Sequence, residues 1–358
     1  MEHLQNMLDL ISEPAFSVEN GAIHQLNRGA QAYLLQPGTP VQDLIAAGAE
    51  EYALLDGGTL YLTLKLGSGT VGASVVRMEG KDYFIMEQDT EQAQLQAMAL
   101  AARELRRPLA TVMTLADRLF PLSDAQGDPA VQEQIARINR GLFQMLRTVS
   151  NMSDAYRYAS EEGNRNETVN IPAFLEEIFA GAAALVGHSQ IKLQYTSELH
   201  NLYGSVDREL LERAVNNLIS NAVKFTPAGG TVNAKLTSRG QTLYLSVTDS
   251  GSGIPGQLQA NLYSHFRRGP ALEDSRHGIG LGMVMVRSAA LHHGGTVLME
   301  QCKEGGTRIT LSIPLRQSNE AIVRSDILRI DYAGERNHQL IELSDVLPHT
   351  VYKKEDIN

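Results

Sequence analysis

Apolar and polar residues alternate in short runs over residues 8–90, a pattern typical of half-buried β-strands. The runs at residues 16–18 and 23–26 flank the pair Asn20-Gly21, which favours the positive φ angles of a tight hairpin turn. Further apolar runs, at residues 60–66, 71–78 and 83–87, are separated by turns that contain glycine. The pattern therefore predicts one small antiparallel sheet accompanied by one or two helices.

From residue 91 onward the apolar positions follow alternating steps of three and four, the heptad pattern of a helix packed along another helix. Two stretches carry this pattern, the first at Leu95, Met98, Ala102, Leu105, Leu109, Val112, Ala116 and Leu119, the second at Ile135, Ile138, Leu142, Met145, Val149, Met152 and Tyr156. A loop with two prolines separates them, so residues 91–160 are predicted to form an antiparallel helical hairpin. Two hairpins make a four-helix bundle, so we expect a homodimer or a heterodimer with a related chain; the alternative is a hairpin folded onto its own neighbours.

Beyond a polar linker at residues 160–168, helical and strand patterns alternate up to residue 315. Asp207 is suited to cap a long helix that runs to Phe225, and strand patterns recur at residues 232–236, 243–248, 296–299 and 309–313. This order predicts an α/β sandwich over residues 168–315. The tail, residues 316–358, contains alternating apolar residues and the run 340–343, which we interpret as a β-hairpin. The expected fold is α+β and multidomain.

Composition agrees with a folded, soluble protein, because 43% of the 358 residues are apolar and 20% are charged. No stretch approaches the roughly 18–20 consecutive apolar residues of a membrane-spanning helix, so we expect a cytoplasmic protein with no membrane span. Cys302 is the single cysteine, which excludes an internal disulfide. The net charge of -10 argues against nucleic acid as the main partner, because phosphate binding needs a clustered basic surface.

Three polar residues on the predicted helix after Asp207 are spaced for joint binding of a ligand. Asn217, Asn221 and Lys224 are separated by four and three residues, so they are expected to share one face of the helix. Amide oxygens are suitable ligands for Mg²⁺ and lysine offsets negative charge, so the set suits a magnesium-bound polyphosphate. A merely solvated polar face is the alternative.

Two glycine-containing motifs follow. Asp249 ends an apolar strand and precedes Gly251 and Gly253; its carboxylate can accept a hydrogen bond from an exocyclic amine such as that of adenine. The glycines allow a close approach of the backbone to a ligand, although a plain turn would also favour these residues. The second motif opens an apolar helix, whose amino terminus can bind phosphate; its glycines are Gly278, Gly280 and Gly282.

The order of these three motifs resembles the Bergerat, or GHKL-type, ATP-binding fold of histidine kinases, and the resemblance covers roughly residues 91–315. It implies ATP and Mg²⁺ as cofactors, with Mg²⁺ on Asn221 and adenine on Asp249. Lys224 and Arg268 would face the phosphates, and residues 270–277 would form a mobile lid. The segment 262–269 resembles the phenylalanine-containing motif of the family, and Gly305-Gly306-Thr307 resembles the turn before its last strand.

The helical hairpin departs from the family at the residue that receives the phosphoryl group. The family motif begins with the acceptor histidine, whereas this chain reads Arg103-Glu104-Leu105-Arg106-Arg107-Pro108-Leu109. Arginine stays protonated and has no free ring nitrogen to attack a phosphate, so Arg103 is a poor acceptor. Glu104 matches the likely general base of the family, or else only pairs with Arg103 or Arg107.

The resemblance implies a cytoplasmic, histidine-kinase-like sensor of two-component signalling that binds Mg-ATP without its usual acceptor. It would be a pseudokinase, or a partner that phosphorylates a second chain, with a response regulator as a further partner. Residues 1–90 resemble a PAS-type sensor domain, and a plain interaction module is the alternative. A signalling scaffold with a vestigial ATP site is the rival function. An ATP-driven clamp of the gyrase or chaperone type is disfavoured, because such proteins lack the upstream hairpin.

Overall fold

The fold was analysed in a computed structural model that describes residues 8, 11, 13–67, 69–78, 80–87, 89–119, 129–159, 165–253, 281–315 and 337–353. The N-terminal part consists of β1 (Ala15–Glu19), β2 (Ala22–Leu26), α1 (Arg28–Gln31), β3 (Ile45–Ala47), α2 (Ala49–Ala53), β4 (Thr59–Leu66), β5 (Gly69–Met78) and β6 (Lys81–Met86). Two long helices follow, α3 (Asp89–Leu119) and α4 (Pro129–Ala159). The remaining described elements are β7 (Asn166–Asn170), α5 (Ile171–Val186), β8 (Lys192–Ser197), β9 (Tyr203–Asp207), α6 (Arg208–Phe225), β10 (Thr231–Arg239), β11 (Thr242–Asp249), α7 (Leu281–His293), β12 (Val297–Gln301), β13 (Thr307–Pro314) and α8 (His338–Glu342).

The N-terminal strands form the predicted antiparallel sheet, in the order β2-β1-β6-β5-β4. The hairpin between β1 and β2 turns at Asn20 and Gly21, which have φ angles of 53° and 78°. Both angles are positive, as the Asn-Gly pair predicts. Stacked Phe16 and Phe84 lie at the centre of this sheet's core. The assignment of this part as a PAS-type domain stays a prediction.

Helices α3 and α4 form the predicted hairpin, and their heptad positions divide into two sets. Leu95, Ala102 and Leu109 of α3 are buried within the chain, and so are Leu142 and Val149 of α4. The alternating heptad residues are about half exposed; these are Leu105 and Val112 of α3 and Ile138 and Met145 of α4. One apolar seam is therefore used inside the chain, and the second faces outward.

The C-terminal part is an α/β sandwich, in which α5, α6 and α7 cover one face of the strands β12-β13-β11-β10-β8. The strand pairs are antiparallel except β8 with β10, and β7 and β9 form a separate two-stranded sheet. The stretch Ile171–Ser189 is apolar and long enough to cross a membrane by composition. Its buried side chains, including Phe174, Ile178 and Phe179, pack in the core of the sandwich.

The two sheets join into one, because β4 of the N-terminal sheet pairs with β12 of the sandwich. The register sets Val297 opposite Tyr61 and Met299 opposite Thr59. Beside this junction, the buried Arg287 of α7 lies 2.5 Å from the Glu87 carboxylate and over the Tyr61 ring. The sequence pattern predicted two separate sheets and gave no sign of this continuity.

The C-terminal tail differs from the predicted β-hairpin where the structure describes it. Residues 340–343 belong to the short helix α8 and the turn after it, because the Asn337 side chain accepts hydrogen bonds from the Gln339 and Leu340 N–H groups and so caps a helix. The alternating residues Leu328, Ile330 and Tyr332 lie outside the described residues.

Candidate nucleotide site

Helix α6 carries the predicted asparagine and lysine face, and it begins where the sequence indicated. The Asp207 side chain accepts a hydrogen bond from the Leu210 N–H group at 3.0 Å, which caps the helix. From Leu210 to Ser220 its side chains are buried, so α6 lies in the centre of the sandwich. A helix buried on all sides holds its polar residues in fixed positions, as a binding site requires.

Asn217 does not share an exposed face with Asn221 and Lys224, contrary to the sequence expectation. Its side chain is 1% exposed, because α4 and α7 pack over it. Its Nδ2 donates to the Arg213 carbonyl oxygen at 2.9 Å, and its Oδ1 accepts from Arg147 Nη2 at 3.2 Å. Protein groups therefore bind both ends of this carboxamide.

Asn221 and Lys224 are partly exposed, so both side chains are accessible from solvent. Asn221 Nδ2 donates to the Met283 sulfur at 3.3 Å. Because the nitrogen makes this contact, the amide oxygen is the atom that a magnesium ion would meet. The Lys224 ammonium lies 5.7 Å from the centre of the Phe225 ring.

Asp249 ends strand β11 and is nearly buried, with 8% of its surface exposed. Its Oδ1 accepts a hydrogen bond from the Gly251 N–H group at 2.8 Å. Burial raises the pKa of this carboxyl above its ordinary value of 3.8, and the N–H groups of Gly251 and Thr307 only partly offset this effect. A ligand group that donates a hydrogen bond to the carboxylate would favour its charged form.

The glycines around Asp249 are required by contacts within the protein. A Cβ atom at Gly251 would collide with the Phe225 carbonyl oxygen, and one at Gly306 would collide with the Asp249 carbonyl oxygen. Gly253 and Gly306 also have positive φ angles, of 74° and 82°. These contacts bring the strand end with Asp249 against the end of α6 and the turn before β13.

The start of α7 lies against the middle of α6. A Cβ atom at Gly282 would lie 2.8 Å from Asn217 Oδ1, so glycine permits the close packing of the two helices. The helix start, Asn221 and the Asp249 turn are thus gathered around α6. The other predicted phosphate-facing residues, Arg268, Gly278 and Gly280, lie outside the described residues, as do the segment 262–269 and the lid 270–277.

Arg103 and Glu104 lie on the exposed surface of α3, directly after the buried Ala102. The predicted pairing of Glu104 with Arg103 or Arg107 is absent from the ion pairs that the structure records among its described residues. Arg103 is thus a solvated cation at the position where the resemblance implies a phosphate acceptor.

Two buried arginines, one on α6 and one on α4, were not predicted from the sequence. Arg213 of α6 lies 2.8 Å from Asp154 of α4 and 3.4 Å from Glu342 of α8. Arg147 of α4 binds Asp345 at 2.6 Å as well as Asn217. Sequence spacing gave no signal for Arg213, because it lies four residues before Asn217 and so on the predicted polar face of the helix; its burial comes from α4 and α8, which contact it from elsewhere in the chain.

His338 is the first residue of α8 and lies 3.5 Å from the Glu212 carboxylate. The stability of the folded protein is predicted to depend on the protonation of His338. Burial opposes its charge, but the bonded carboxylate of Glu212 and the charge of Glu342 outweigh burial and the repulsion of Arg213, so the pKa of His338 is raised above 6.5. Its stabilising contribution is therefore complete below pH 6.5 and is lost as the pH rises through the folded-state pKa.

Thermal unfolding of the parent and of His338→Gln from about pH 6 to about pH 9 tests this. The parent should have the higher Tm at low pH, and the difference should shrink as the pH rises. The exposed His200 provides a control as His200→Gln. A difference that is constant with pH would contradict the prediction.

Comparison with known proteins agrees with this geometry. Residues 206–317 match the family described as histidine kinase-, DNA gyrase B- and HSP90-like ATPase. The histidine protein kinase DivJ of Caulobacter vibrioides is 30% identical over 248 residues, covering 64% of this chain and 40% of DivJ. The sensor protein KdpD of Escherichia coli is 28% identical over 302 residues, covering 82% of this chain and 32% of KdpD.

A third relative matches a similar share of the chain. The hybrid signal transduction histidine kinase D of Dictyostelium discoideum is 29% identical over 234 residues, which cover 63% of this chain and 15% of that protein. The chain therefore spans between 15% and 40% of the length of these three relatives. Among solved structures, full-length ShkA in complex with AMPPNP matches 64% of this chain and 47% of its own, with a TM-score of 0.51 and 20% identity. That likeness concerns the fold.

Proposed function

Because residues 206–317 are an ATPase domain of the histidine kinase-, DNA gyrase B- and HSP90-like family, in a chain homologous to sensor histidine kinases, we propose that this protein binds Mg-ATP. The observation that supports the proposal most is the gathering of Asp249, Asn221 and the start of α7 around one buried helix. Each of the three would supply a different part of a nucleotide site.

The residues present fit the nucleotide. The Asp249 carboxylate would accept a hydrogen bond from the exocyclic amine of adenine, and burial would make that bond selective. The amide oxygen of Asn221 would hold Mg²⁺, while Lys224 would offset phosphate charge. Mg²⁺ supplies charge neutralisation between the phosphates when it is bound.

We further infer that the protein works in two-component signalling without phosphorylating its own α3. Arg103 cannot attack a phosphate, so bound ATP would serve either as a regulatory ligand or as the donor for a histidine on a second chain. The N-terminal sheet would then act as the sensor. A response regulator is a proposed further partner, and the cytoplasm is the proposed location.

Dimerisation is part of the proposal. The outward heptad residues Leu105 and Val112 of α3 and Ile138 and Met145 of α4 leave an apolar seam that a second hairpin would cover. A homodimer or a heterodimer with a related kinase would each form a four-helix bundle. Sedimentation equilibrium of the purified chain measures which mass is present, and a monomer at all concentrations would contradict a homodimer.

A nucleotide-independent scaffold is the second candidate. The observation that favours it is the buried carboxamide of Asn217, which binds Arg147 with its oxygen and the Arg213 carbonyl with its nitrogen rather than facing solvent. Isothermal titration with Mg²⁺ and a non-hydrolysable ATP analogue separates the two functions. A complete absence of binding would support the scaffold and contradict the ATP proposal.

Placing a histidine at position 103 should allow the chain to accept the γ-phosphate of ATP. The parent incubated with ATP labelled on its γ-phosphate should gain no acid-labile label, whereas Arg103→His should gain it, because imidazole nitrogen is a nucleophile and position 103 is exposed. Arg103→Gln controls for loss of the charge. The double variant Arg103→His with Asp249→Asn should lose the label again. Acid-labile label on the parent would mean that another residue is the acceptor.

A further inference from the structure

The C-terminal strap, which we define as residues 337–353, bridges the helical hairpin and the C-terminal α/β sandwich, which is called the ATPase domain below because it contains the matched residues 206–317. On the hairpin side, Asn139 of α4 donates to the Tyr352 carbonyl oxygen at 3.1 Å, and Gln144 of α4 donates to that of Ser344 at 3.2 Å. On the ATPase side, Gln339 of the strap donates to the Ile178 carbonyl oxygen at 2.6 Å. The strap thus contacts both units by specific hydrogen bonds.

Apolar burial fixes the strap in this position. Tyr352 is fully buried, packs edge-to-face on Phe143 of α4, and donates to the Leu340 carbonyl oxygen at 2.7 Å. The other buried apolar residues of the strap are Leu340, Ile341, Leu343, Leu347 and Val351, and all belong to the same core as α4, α5 and α6. The strap therefore fills a continuous apolar groove between the two units.

Charge complementarity accompanies the apolar contact. The groove contains the buried cations Arg147 and Arg213, and the strap brings the carboxylates of Glu342 and Asp345 to them. Asp345 lies 2.6 Å from Arg147, and Glu342 lies 3.4 Å from Arg213. The two carboxylates recorded beside Arg147 among the described residues both belong to the strap, while Arg213 is also paired with Asp154 of α4. The groove is therefore suited to an acidic, apolar segment.

The strap is linked through Arg147 to the nucleotide site. The guanidinium of Arg147 binds Asp345 with Nη1 and Asn217 with Nη2. Asn217 in turn lies against Gly282 at the start of α7, the helix expected to bind phosphate. The planar guanidinium of Arg147 therefore connects the strap to Asn217, the residue against which the start of α7 packs.

We propose that the strap holds the ATPase domain against α4, and that Arg147 is a positioning residue that keeps Asn217 in place for nucleotide binding. The second part rests on the proposed binding of Mg-ATP; the first does not. With Arg147 in place, Asn217 is held before the nucleotide arrives. Without it, the Asn217 oxygen is buried with its donor lost, and the start of α7 is less well ordered.

Hydrogen exchange of the full-length chain without nucleotide tests the strap. In the parent, the amides of Leu343 and Leu347 should be protected, since each donates within the strap. Asp345→Asn should speed their exchange by about three- to tenfold, because the charge-assisted bond to Arg147 is weakened. The exposed Asp56 provides the matched control as Asp56→Asn, which should leave these rates unchanged. Unprotected amides in the parent, or identical exchange rates in the parent and Asp345→Asn, would contradict the proposal that the strap holds the ATPase domain against α4.

Two substitutions of Arg147 then distinguish its proposed role in positioning Asn217 from its role in binding the strap. Arg147→Lys keeps a cation for Asp345 but cannot bind Asp345 and Asn217 together, whereas Arg147→Met loses both contacts. We expect Arg147→Lys to keep strap protection while its Kd for Mg-AMPPNP rises about fivefold or more. Arg147→Met should lose both properties. Arg137→Met, at an exposed arginine of the same helix, controls for the substitution itself.

These measurements distinguish the two proposals. A parent that does not bind Mg-AMPPNP at all contradicts the proposed function and the positioning role of Arg147. The exchange data still test whether the strap holds the ATPase domain against α4. A parent that binds, together with an Arg147→Lys variant of unchanged Kd, contradicts only the positioning role.

Discussion

Replacing Asp249 with asparagine is expected to weaken the binding of Mg-ATP analogues by about 10- to 100-fold. The change preserves the shape of the side chain but removes the charged acceptor and places an amide NH₂ where adenine presents its own donor. Hydrogen bonds to charged groups contribute about 1.5–3 kcal/mol, which corresponds to this range of affinity. The near burial of Asp249 limits compensation by water.

Isothermal titration of the parent and Asp249→Asn with Mg-AMPPNP measures the effect. Asp56→Asn carries the same change at an exposed position and should bind as the parent does. Equal affinities of the parent and Asp249→Asn would contradict the assignment of Asp249 to adenine. Equal signalling function of the two proteins would favour the scaffold with a vestigial site.

Replacing Gly251 with alanine is expected to lower the thermal stability of the ATPase domain and to abolish nucleotide binding. The new Cβ atom would overlap the Phe225 carbonyl oxygen and lie 2.9 Å from Asp249 Oδ1. Backbone atoms cannot move aside as a flexible side chain can, so we expect a cost at the upper end of the about 1–3 kcal/mol that overpacking brings.

Thermal unfolding followed by circular dichroism should show a lower Tm, by roughly 4–10 °C. Gly187→Ala is the matched control in the same domain, because its Cβ would meet no atom within 4 Å and its φ of -52° suits alanine. A Gly251→Ala variant as stable as Gly187→Ala would mean that the turn after β11 is not held against α6.

Local patterns predicted the elements and the residues that determine them. The Asn20-Gly21 turn, the buried half of the heptad positions and the Asp207 cap depend on neighbours in sequence, so they can be read from it. Asp249 and Gly251 were found in the same way, because a strand end and its turn are adjacent in the chain. The packing around Gly251 shows that the glycine also serves the contact with α6.

Contacts between distant segments could not be predicted. Arg147, Arg213 and Glu342 come from three separate segments, and no single stretch of sequence shows that their charges meet. The burial of Asn217 has the same origin, since α4 and α7 cover it from elsewhere in the chain. The pairing of β4 with β12 depends on two strands that each look complete in their own sheet.

That pairing has a consequence for how the chain folds. During synthesis β4 leaves the ribosome long before β12, so its free edge exposes backbone N–H and C=O groups until the ATPase domain follows. Strand β3 pairs only with the end of that edge near Leu64, while the backbone of residues 59–61 stays unpaired until β12 is made. Contacts of such high sequence separation form slowly. The nascent N-terminal sheet is therefore exposed to edge-to-edge aggregation in this interval, and completion of the C-terminal half is what ends it.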